Sequence, residues 1–234
     1  KIPKNKWKWI LATGYIGSFF PSFLFAFAQT EIDSGVSAIL NSLTPLATLV
    51  IGLLFFKFLI DTKQIAGILI GLIGSFLLIY QGSSINPHQN FLFVGFILIA
   101  SILYAISLNL LKAHLQDVSA TGIAVGNFLC IIPPAVIILF LTDLKINDFK
   151  FDNDIQISLI YVVILSIFGS AFAKVLFNKL VQISSPIFAS SITYTLPVVA
   201  IMWGLLDGET ISLGQFFSTG LILVGVFLAN KTTN

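Results

Sequence analysis

Two stretches of the chain, NSLTPLATLV at 41–50 and TYTLPVVAIM at 193–202, each place a proline and several polar side chains inside a long apolar run. Proline has no backbone N–H, so it kinks or ends an α-helix when it lies in the interior. The residues concerned are Pro45 with Asn41, Ser42 and Thr44, and Pro197 with Thr193, Tyr194 and Thr195. So unusual a pattern, found twice, indicates that the two stretches have the same place in a repeated fold.

The composition excludes a water-facing surface. Of the 234 residues, 57% are hydrophobic and only 9% are charged, whereas soluble domains carry about 25% charged residues. The apolar residues also come in blocks of about 20, the length that spans a bilayer. The formal net charge of +2 is too small to indicate a nucleic-acid partner. The sequence therefore predicts an integral protein of the lipid bilayer.

Eight apolar segments can be marked along the chain. In lipid each must be a helix, because a helix satisfies its own backbone hydrogen bonds. The segments are 8–30 (A), 34–58 (B), 64–81 (C), 91–114 (D), 120–142 (E), 156–180 (F), 186–207 (G) and 213–230 (H). The predicted fold class is an all-α membrane protein, a bundle of eight spans.

The lysines predict the orientation of this bundle. All 12 basic residues are lysine, and if A starts on one side of the membrane, ten of them lie on that side. The two others, Lys145 and Lys150, share a loop with several carboxylates. By the positive-inside rule the lysine-rich side is cytoplasmic, so the C-terminus is predicted to be cytoplasmic.

An internal repeat relates the two proline stretches. A shift of 152 residues places Gly17-Ser18 on Gly169-Ser170 and Pro45 on Pro197, and after a one-residue gap Gln64 falls on Gln215. The repeat maps A, B and C onto F, G and H, a step of five spans, so the second copy is inverted. Inverted repeats with a binding site between the halves are a signature of secondary transporters.

The same arithmetic predicts that the first copy is incomplete. D and E open the second repeat, and no segment in this chain precedes A to match them. We expect two further spans upstream and a ten-span (5+5) protein. Residues 1–82 are then the last three spans of the first repeat, and residues 83–234 are the complete second repeat.

The prolines and their polar neighbours predict a cavity between the repeats. A proline within a span frees a carbonyl one turn earlier, which hydroxyls, water or a ligand must satisfy. We therefore expect Pro45 and Pro197 to act as hinges and the six polar residues beside them to line a substrate site. The alternative is that these hydroxyls bond only to their own helix.

LTPLATLVIGLLFF at 43–56 and TLPVVAIMWGLLDGE at 195–209, each followed by a short loop and a glycine-punctuated span, resemble the EamA-like transporters of the drug/metabolite transporter superfamily. The resemblance covers about residues 8 to 230. It implies a multi-pass protein in the cytoplasmic (inner) membrane of a bacterium. It also implies export or exchange of a small metabolite through a central cavity.

Lys174 is the one ionisable residue well inside a span. It can extend to the cytoplasmic interface, or it can face the cavity and pair with an acidic group of the substrate. Ser170, one turn earlier, and Tyr104 in D are further expected lining residues. Asn127 in E, and Ser101 and Ser107 in D, can join that lining or form hydrogen bonds between helices.

The substrate class follows from what the chain lacks. It contains no arginine, the residue that favours tight phosphate binding. An amino acid, another zwitterion or an amphiphile therefore fits better than a phosphorylated sugar.

Other functional classes find less support. His88 and His114 are far apart near span ends, Cys130 is the only cysteine, and neither HExxH nor GxSxG occurs. We therefore predict no metal, no cofactor and no catalytic residue, and hence no enzyme. A non-transporting membrane scaffold remains the alternative.

The glycines Gly67, Gly71 and Gly74 predict a close-packing face in C, which serves either the bundle or a homodimer.

Overall fold

A computed structural model describes residues 2–32, 34–59, 61–82, 91–142, 153–196, 198–199, 202, 206 and 212–230. These residues form helices and turns and contain no strand, in agreement with the predicted all-α class. The helices are α1 (Lys4–Ala28), α2 (Ser34–Asn41), α3 (Thr44–Phe56), α4 (Thr62–Gly82), α5 (Val94–His114), α6 (Ala120–Leu141), α7 (Ile155–Ile183), α8 (Pro186–Ser191) and α9 (Leu213–Asn230).

Within the described residues, six helices are long and apolar enough to cross a membrane. They are α1, α4, α5, α6, α7 and α9, and they correspond to the predicted spans A, C, D, E, F and H. The two remaining predictions, B and G, are the proline-bearing segments. Neither is a single long helix in the described residues.

Span B is divided where a continuous, kinked helix was expected. α2 ends at Asn41 and α3 begins at Thr44. Because Pro45 has no N–H, it cannot donate to the Asn41 carbonyl, and the chain tightens so that the Leu43 N–H bonds to the Leu40 carbonyl at 3.1 Å. The proline therefore separates two helices.

Span G is also irregular at the matched position. α8 ends at Ser191 and continues as a tighter 3₁₀ turn, Ile192–Thr195. Pro197 lies outside the described residues. The described chain thus leaves the α-helical path just before the proline in both stretches.

Helices α1 and α7 each contain a π-helical turn. In α1 it covers Tyr15–Phe19, where the Phe20 N–H bonds to the Tyr15 carbonyl. In α7 it covers Leu165–Phe172, where the Ala173 N–H bonds to the Phe168 carbonyl. The shift of 152 places the first turn within the second. Such turns are rare and frequently found at functional sites.

Helices α4 and α9 pack closely through small residues. A Cβ added at Gly225 would lie 2.4 Å from the Gly71 backbone nitrogen, and one at Gly67 would lie 2.5 Å from the Ala229 nitrogen. The glycine face predicted in span C therefore packs within the bundle.

Helix α5 is the central helix, because α1, α2, α3, α7 and α8 all pack against it. An apolar cluster fills the end of the bundle where α5 finishes. Its buried members are Ile10, Leu108, Leu111, Leu115, Val118, Ile123, Val181 and Ala189. The cluster lies at the lysine-rich end and forms the floor of the site described next.

Candidate functional site: a cavity inside the bundle

A cavity of about 690 Å³ lies between α1, α5, α6 and α7. The α2–α3 break and the end of α8 complete its wall with Asn41, Thr44, Ser190 and Thr193. Pockets for small molecules have volumes of roughly 300–1,000 Å³. The space is therefore large enough for a metabolite.

Six of the nine lining residues expected from the sequence do line this cavity. They are Asn41, Thr44, Tyr104, Ser170, Lys174 and Thr193. Asn127 and Ser107 also line it, whereas Ser101 is buried elsewhere along α5. The structure thus brings together polar groups from both of the predicted repeat copies.

Three expected residues lie away from the cavity wall. Ser42 is buried at the α2–α3 break, and Thr195 donates to the Ile192 carbonyl at 2.7 Å. Tyr194 is fully buried, and a Cβ added at Gly71 would lie 2.6 Å from its ring. A 3₁₀ turn has three residues per turn, so three consecutive residues point in three directions and only Thr193 reaches the cavity.

The polar groups of α1 were not identified as lining residues from the sequence. Thr13, Ser18 and Ser22 face the cavity, together with Asn178 of α7 and Ser190 of α8. The signal that could have found Ser18 is its match to Ser170 in the predicted repeat, because Ser170 was an expected lining residue.

Lys174 lines the cavity, and its ammonium points towards α1. Its ammonium donates to the Ser18 hydroxyl and, at 3.4 Å, to the Gly17 carbonyl. Pro21 lies four residues after Gly17 and has no N–H, so it cannot supply the helical bond to that carbonyl. The Gly17 carbonyl instead accepts from the Ser18 hydroxyl at 2.7 Å and, more weakly, from Lys174.

The wall between α1, α5 and α6 is held by close contacts. A Cβ at Gly17 would lie 2.1 Å from the Ser107 Oγ, so only glycine allows this approach. The Ser107 hydroxyl donates to the Thr13 carbonyl at 3.4 Å. The Thr13 Oγ1 lies 3.3 Å from the Asn127 side-chain amide. Asn127 therefore links helices and also faces the cavity.

Matched residues form the opposite part of the wall. Asn41 and Thr193, which the predicted repeat places in equivalent positions, both line the cavity. The Thr44 hydroxyl donates to the Asn41 Oδ1 at 3.2 Å, and the Thr193 hydroxyl donates to the Ser190 carbonyl at 2.8 Å. Both hydroxyl protons are therefore used in these bonds. The hydroxyl oxygens of Thr44 and Thr193 can still accept a hydrogen bond from a solute.

Polar contacts close the lysine-rich end of the cavity. The Lys6 ammonium lies 2.8 Å from the Asp117 carboxylate and also donates to the His114 carbonyl at 2.8 Å. The Trp9 and His114 rings stack with centroids 3.7 Å apart. The hydrogen bond from Lys6 holds the pKa of the Asp117 carboxyl below its usual value. This side chain therefore stays ionised at neutral pH.

A second set of contacts ties α5 and α6 to α7 at the same end. Lys112 donates to the Gln182 carbonyl at 2.9 Å, and the Gln182 amide donates to the Leu115 and Val118 carbonyls at 2.9 and 2.7 Å. Together with the apolar cluster beneath the cavity, these bonds hold the helices together at that end.

The described residues contain no group of three or more His, Cys, Asp or Glu side chains that could hold a metal ion. The chemistry of the lining is that of hydroxyls, amides, aromatic rings and one ammonium. Such groups bind and orient a solute.

These features define a class: a helical membrane protein with a solute-sized, partly polar cavity inside its bundle. The chain belongs to the EamA-like transporter family, whose model matches residues 1–80 and 92–231. The family is part of the drug/metabolite transporter superfamily, and its members are transporters rather than enzymes.

A crystal structure of another protein shows the same fold. It superposes with a TM-score of 0.73 at 14% sequence identity, covering 98% of this chain and 76% of the other. At this identity the likeness concerns the fold alone. A comparison with curated proteins finds no significant match.

Proposed function

We propose that the protein is a secondary transporter that exports a small metabolite across the cell membrane by alternating access between two inverted repeats, residues 1–82 and 83–234. The observation that carries this proposal is the cavity itself. Its wall combines equivalent positions of the two copies, Gly17-Ser18 with Gly169-Ser170 and Asn41 with Thr193. Transport needs no bond-breaking step, and we assign no catalytic residue.

The seal at the lysine-rich end supports alternating access. If that end is cytoplasmic, the Lys6–Asp117 pair, the Gln182 bonds and the apolar cluster would close the cavity towards the cytoplasm. Release of these contacts would admit solute from that side. The breaks at Pro45 and before Pro197 supply hinge points near the cavity.

A non-transporting scaffold is the alternative that this proposal must exclude. A scaffold has no need of polar groups inside the bundle, where each costs free energy unless it is bonded. Here the polar groups surround an open volume that can hold a metabolite. This arrangement favours transport.

The test uses the full-length protein in cells. We would compare small molecules inside and outside cells that lack the protein, express it, or express Ser170→Trp, which would fill the cavity. Ile167→Trp is the matched control, because Ile167 lies in the same π-helical turn, is 52% exposed and is not part of the described wall.

We expect a solute that accumulates outside only with the intact protein and with Ile167→Trp, and a loss of roughly tenfold or more in that export with Ser170→Trp. Equal profiles in all strains, at equal protein levels and across amino acids, other metabolites and amphiphiles, would favour the scaffold. Depletion from the medium would instead show uptake.

A further inference from the structure

We propose that Lys174 makes the cavity selective for a monocarboxylate with an apolar body, in preference to a zwitterion or an amine. This inference rests on the proposed transport function and names its substrate class. Three features of the cavity support it: the charge balance of the wall, the free donor capacity of Lys174 and the apolar side chains beside Lys174.

The described part of the wall carries one positive charge and no negative one. Among the described residues that line the cavity, Lys174 is the only charged side chain. A charge inside the membrane is costly unless it is paired, and the protein offers Lys174 only neutral acceptors, the Ser18 hydroxyl and the Gly17 carbonyl. A ligand with one carboxylate would neutralise the site.

Lys174 has bonding capacity left for such a ligand. An ammonium group has three donors, and the described contacts use two of them. A single ammonium matches one negative charge, whereas a dianionic phosphate favours the bidentate fork of arginine.

A zwitterion fits this wall less well than a monoanion. Its ammonium would enter the field of Lys174, and the described wall has no carboxylate to receive it. At a separation of about 7 Å and an effective dielectric constant of about 20, two like charges repel strongly enough to weaken binding by tenfold or more. Hydroxyl and amide oxygens offset only part of that repulsion.

The rest of the wall suits an apolar body. Phe19 and Phe23 of α1, Phe128 and Ile131 of α6, and Phe177 of α7 line the same cavity as Lys174. Phe177 lies about one helical turn from Lys174 on the same helix. A carboxylate held by Lys174 would therefore leave its hydrocarbon part against these side chains.

The test measures binding to the purified full-length protein by titration calorimetry. The probes are 3-phenylpropanoate, phenylalanine and 2-phenylethylamine, which share a ring and differ in charge, with octanoate and octylamine as an aliphatic pair. We expect each carboxylate to bind at least tenfold more tightly than the zwitterion or amine of the same size.

Variants connect that preference to Lys174. Lys174→Gln should remove the preference, whereas Lys174→Arg should retain most of it by keeping the charge. Lys179→Gln is the matched control, because Lys179 is exposed on the same helix and does not line the cavity. A monodisperse elution profile shows that each variant is folded.

Two results would overturn the inference while leaving transport intact. One is export of a solute together with equal, or no, binding of the carboxylate and amine probes by the unaltered protein. The other is an unchanged carboxylate preference in folded Lys174→Gln. Failure of the proposed function would show differently, as the absence of any exported solute in the cellular comparison.

Discussion

Gly17 serves the cavity in two ways at the scale of a single residue. Its missing side chain lets the Ser107 hydroxyl of α5 approach α1, and its carbonyl accepts a hydrogen bond from Lys174. The second role depends on the local sequence, because Pro21 has no N–H to give that carbonyl. Gly17 therefore contacts both the neighbouring helix α5 and the ammonium group of Lys174.

Gly17→Ala should destabilise the protein. The added Cβ would lie 2.1 Å from the Ser107 Oγ and 2.8 Å from its Cβ, so one of the two helices must shift. Overpacking of this kind costs about 1–3 kcal/mol. We expect a lower melting temperature for the detergent-solubilised protein.

A compensating change tests the cause of that loss. Ser107→Gly removes both close atoms, so the Gly17→Ala/Ser107→Gly pair should recover part of the stability lost by Gly17→Ala alone. Gly95→Ala and Gly220→Ala are controls, because an added Cβ meets nothing within 4 Å at either position. Equal melting temperatures for Gly17→Ala and these controls would contradict the steric argument.

At the scale of the element, α4 and α9 begin with the same capping arrangement. The Asp61 N–H donates to the Gln64 Oε1 at 3.3 Å, and the Ser212 N–H donates to the Gln215 Oε1 at 2.9 Å. In return, the Asp61 and Ser212 side chains accept from backbone N–H groups of the first turn. This reciprocal bonding is a capping box, and it gives the two glutamines that the predicted repeat matches the same role.

The two glutamines should nevertheless differ in their importance for stability. Gln64 is 3% exposed, and its amide also donates to the Ser185 Oγ at 3.3 Å and the Ala229 carbonyl at 3.5 Å. Gln215→Ala should lower the free energy of unfolding by about 1 kcal/mol. Gln64→Ala should lower it by about 2 kcal/mol or more, because the loss of Gln64 also leaves buried polar atoms unpaired.

Thermal denaturation of the two variants in the same detergent makes this comparison. Gln81→Ala provides a reference, since Gln81 bonds to Ser218 at the other end of the α4–α9 pair and plays no part in a cap. A larger loss for Gln215→Ala than for Gln64→Ala would show that the contacts between helices add nothing to the cap.

At the scale of the whole molecule, the lysine distribution and the closed end of the cavity coincide. Lys6 and Lys112, which hold that end together, belong to the side predicted to be cytoplasmic. The orientation of the protein in the membrane therefore decides which compartment lies beyond this end of the cavity.

Reporter fusions in a bacterial host test that orientation. We expect green fluorescent protein joined after Asn234 to fluoresce and alkaline phosphatase at the same site to be inactive, because ten of the 12 lysines lie on that side. Fusions after Lys150, in the lysine-poor loop, should give the opposite pair of signals. The reverse pattern at both sites would overturn the predicted topology and the assignment of the closed end.

The sequence by itself was enough for the membrane class, for six of the eight predicted spans and for the place where span B is interrupted. In lipid each segment must satisfy its own backbone hydrogen bonds, so apolar length shows where a span lies and Pro45 shows where it breaks. Lys174 was likewise visible as the one ionisable residue deep in a span, and six expected lining residues do reach the cavity.

Only the tertiary structure decided which polar side chains share the cavity. The 3₁₀ turn before Pro197 directs Thr193 to the wall and Tyr194 into the packing against α4. The partnership of Lys174 with Ser18 joins residues 156 positions apart. Local pattern determines where a helix begins and ends, but the rotation of each helix about its axis, and so the direction of its side chains, is set by the neighbours against which it packs.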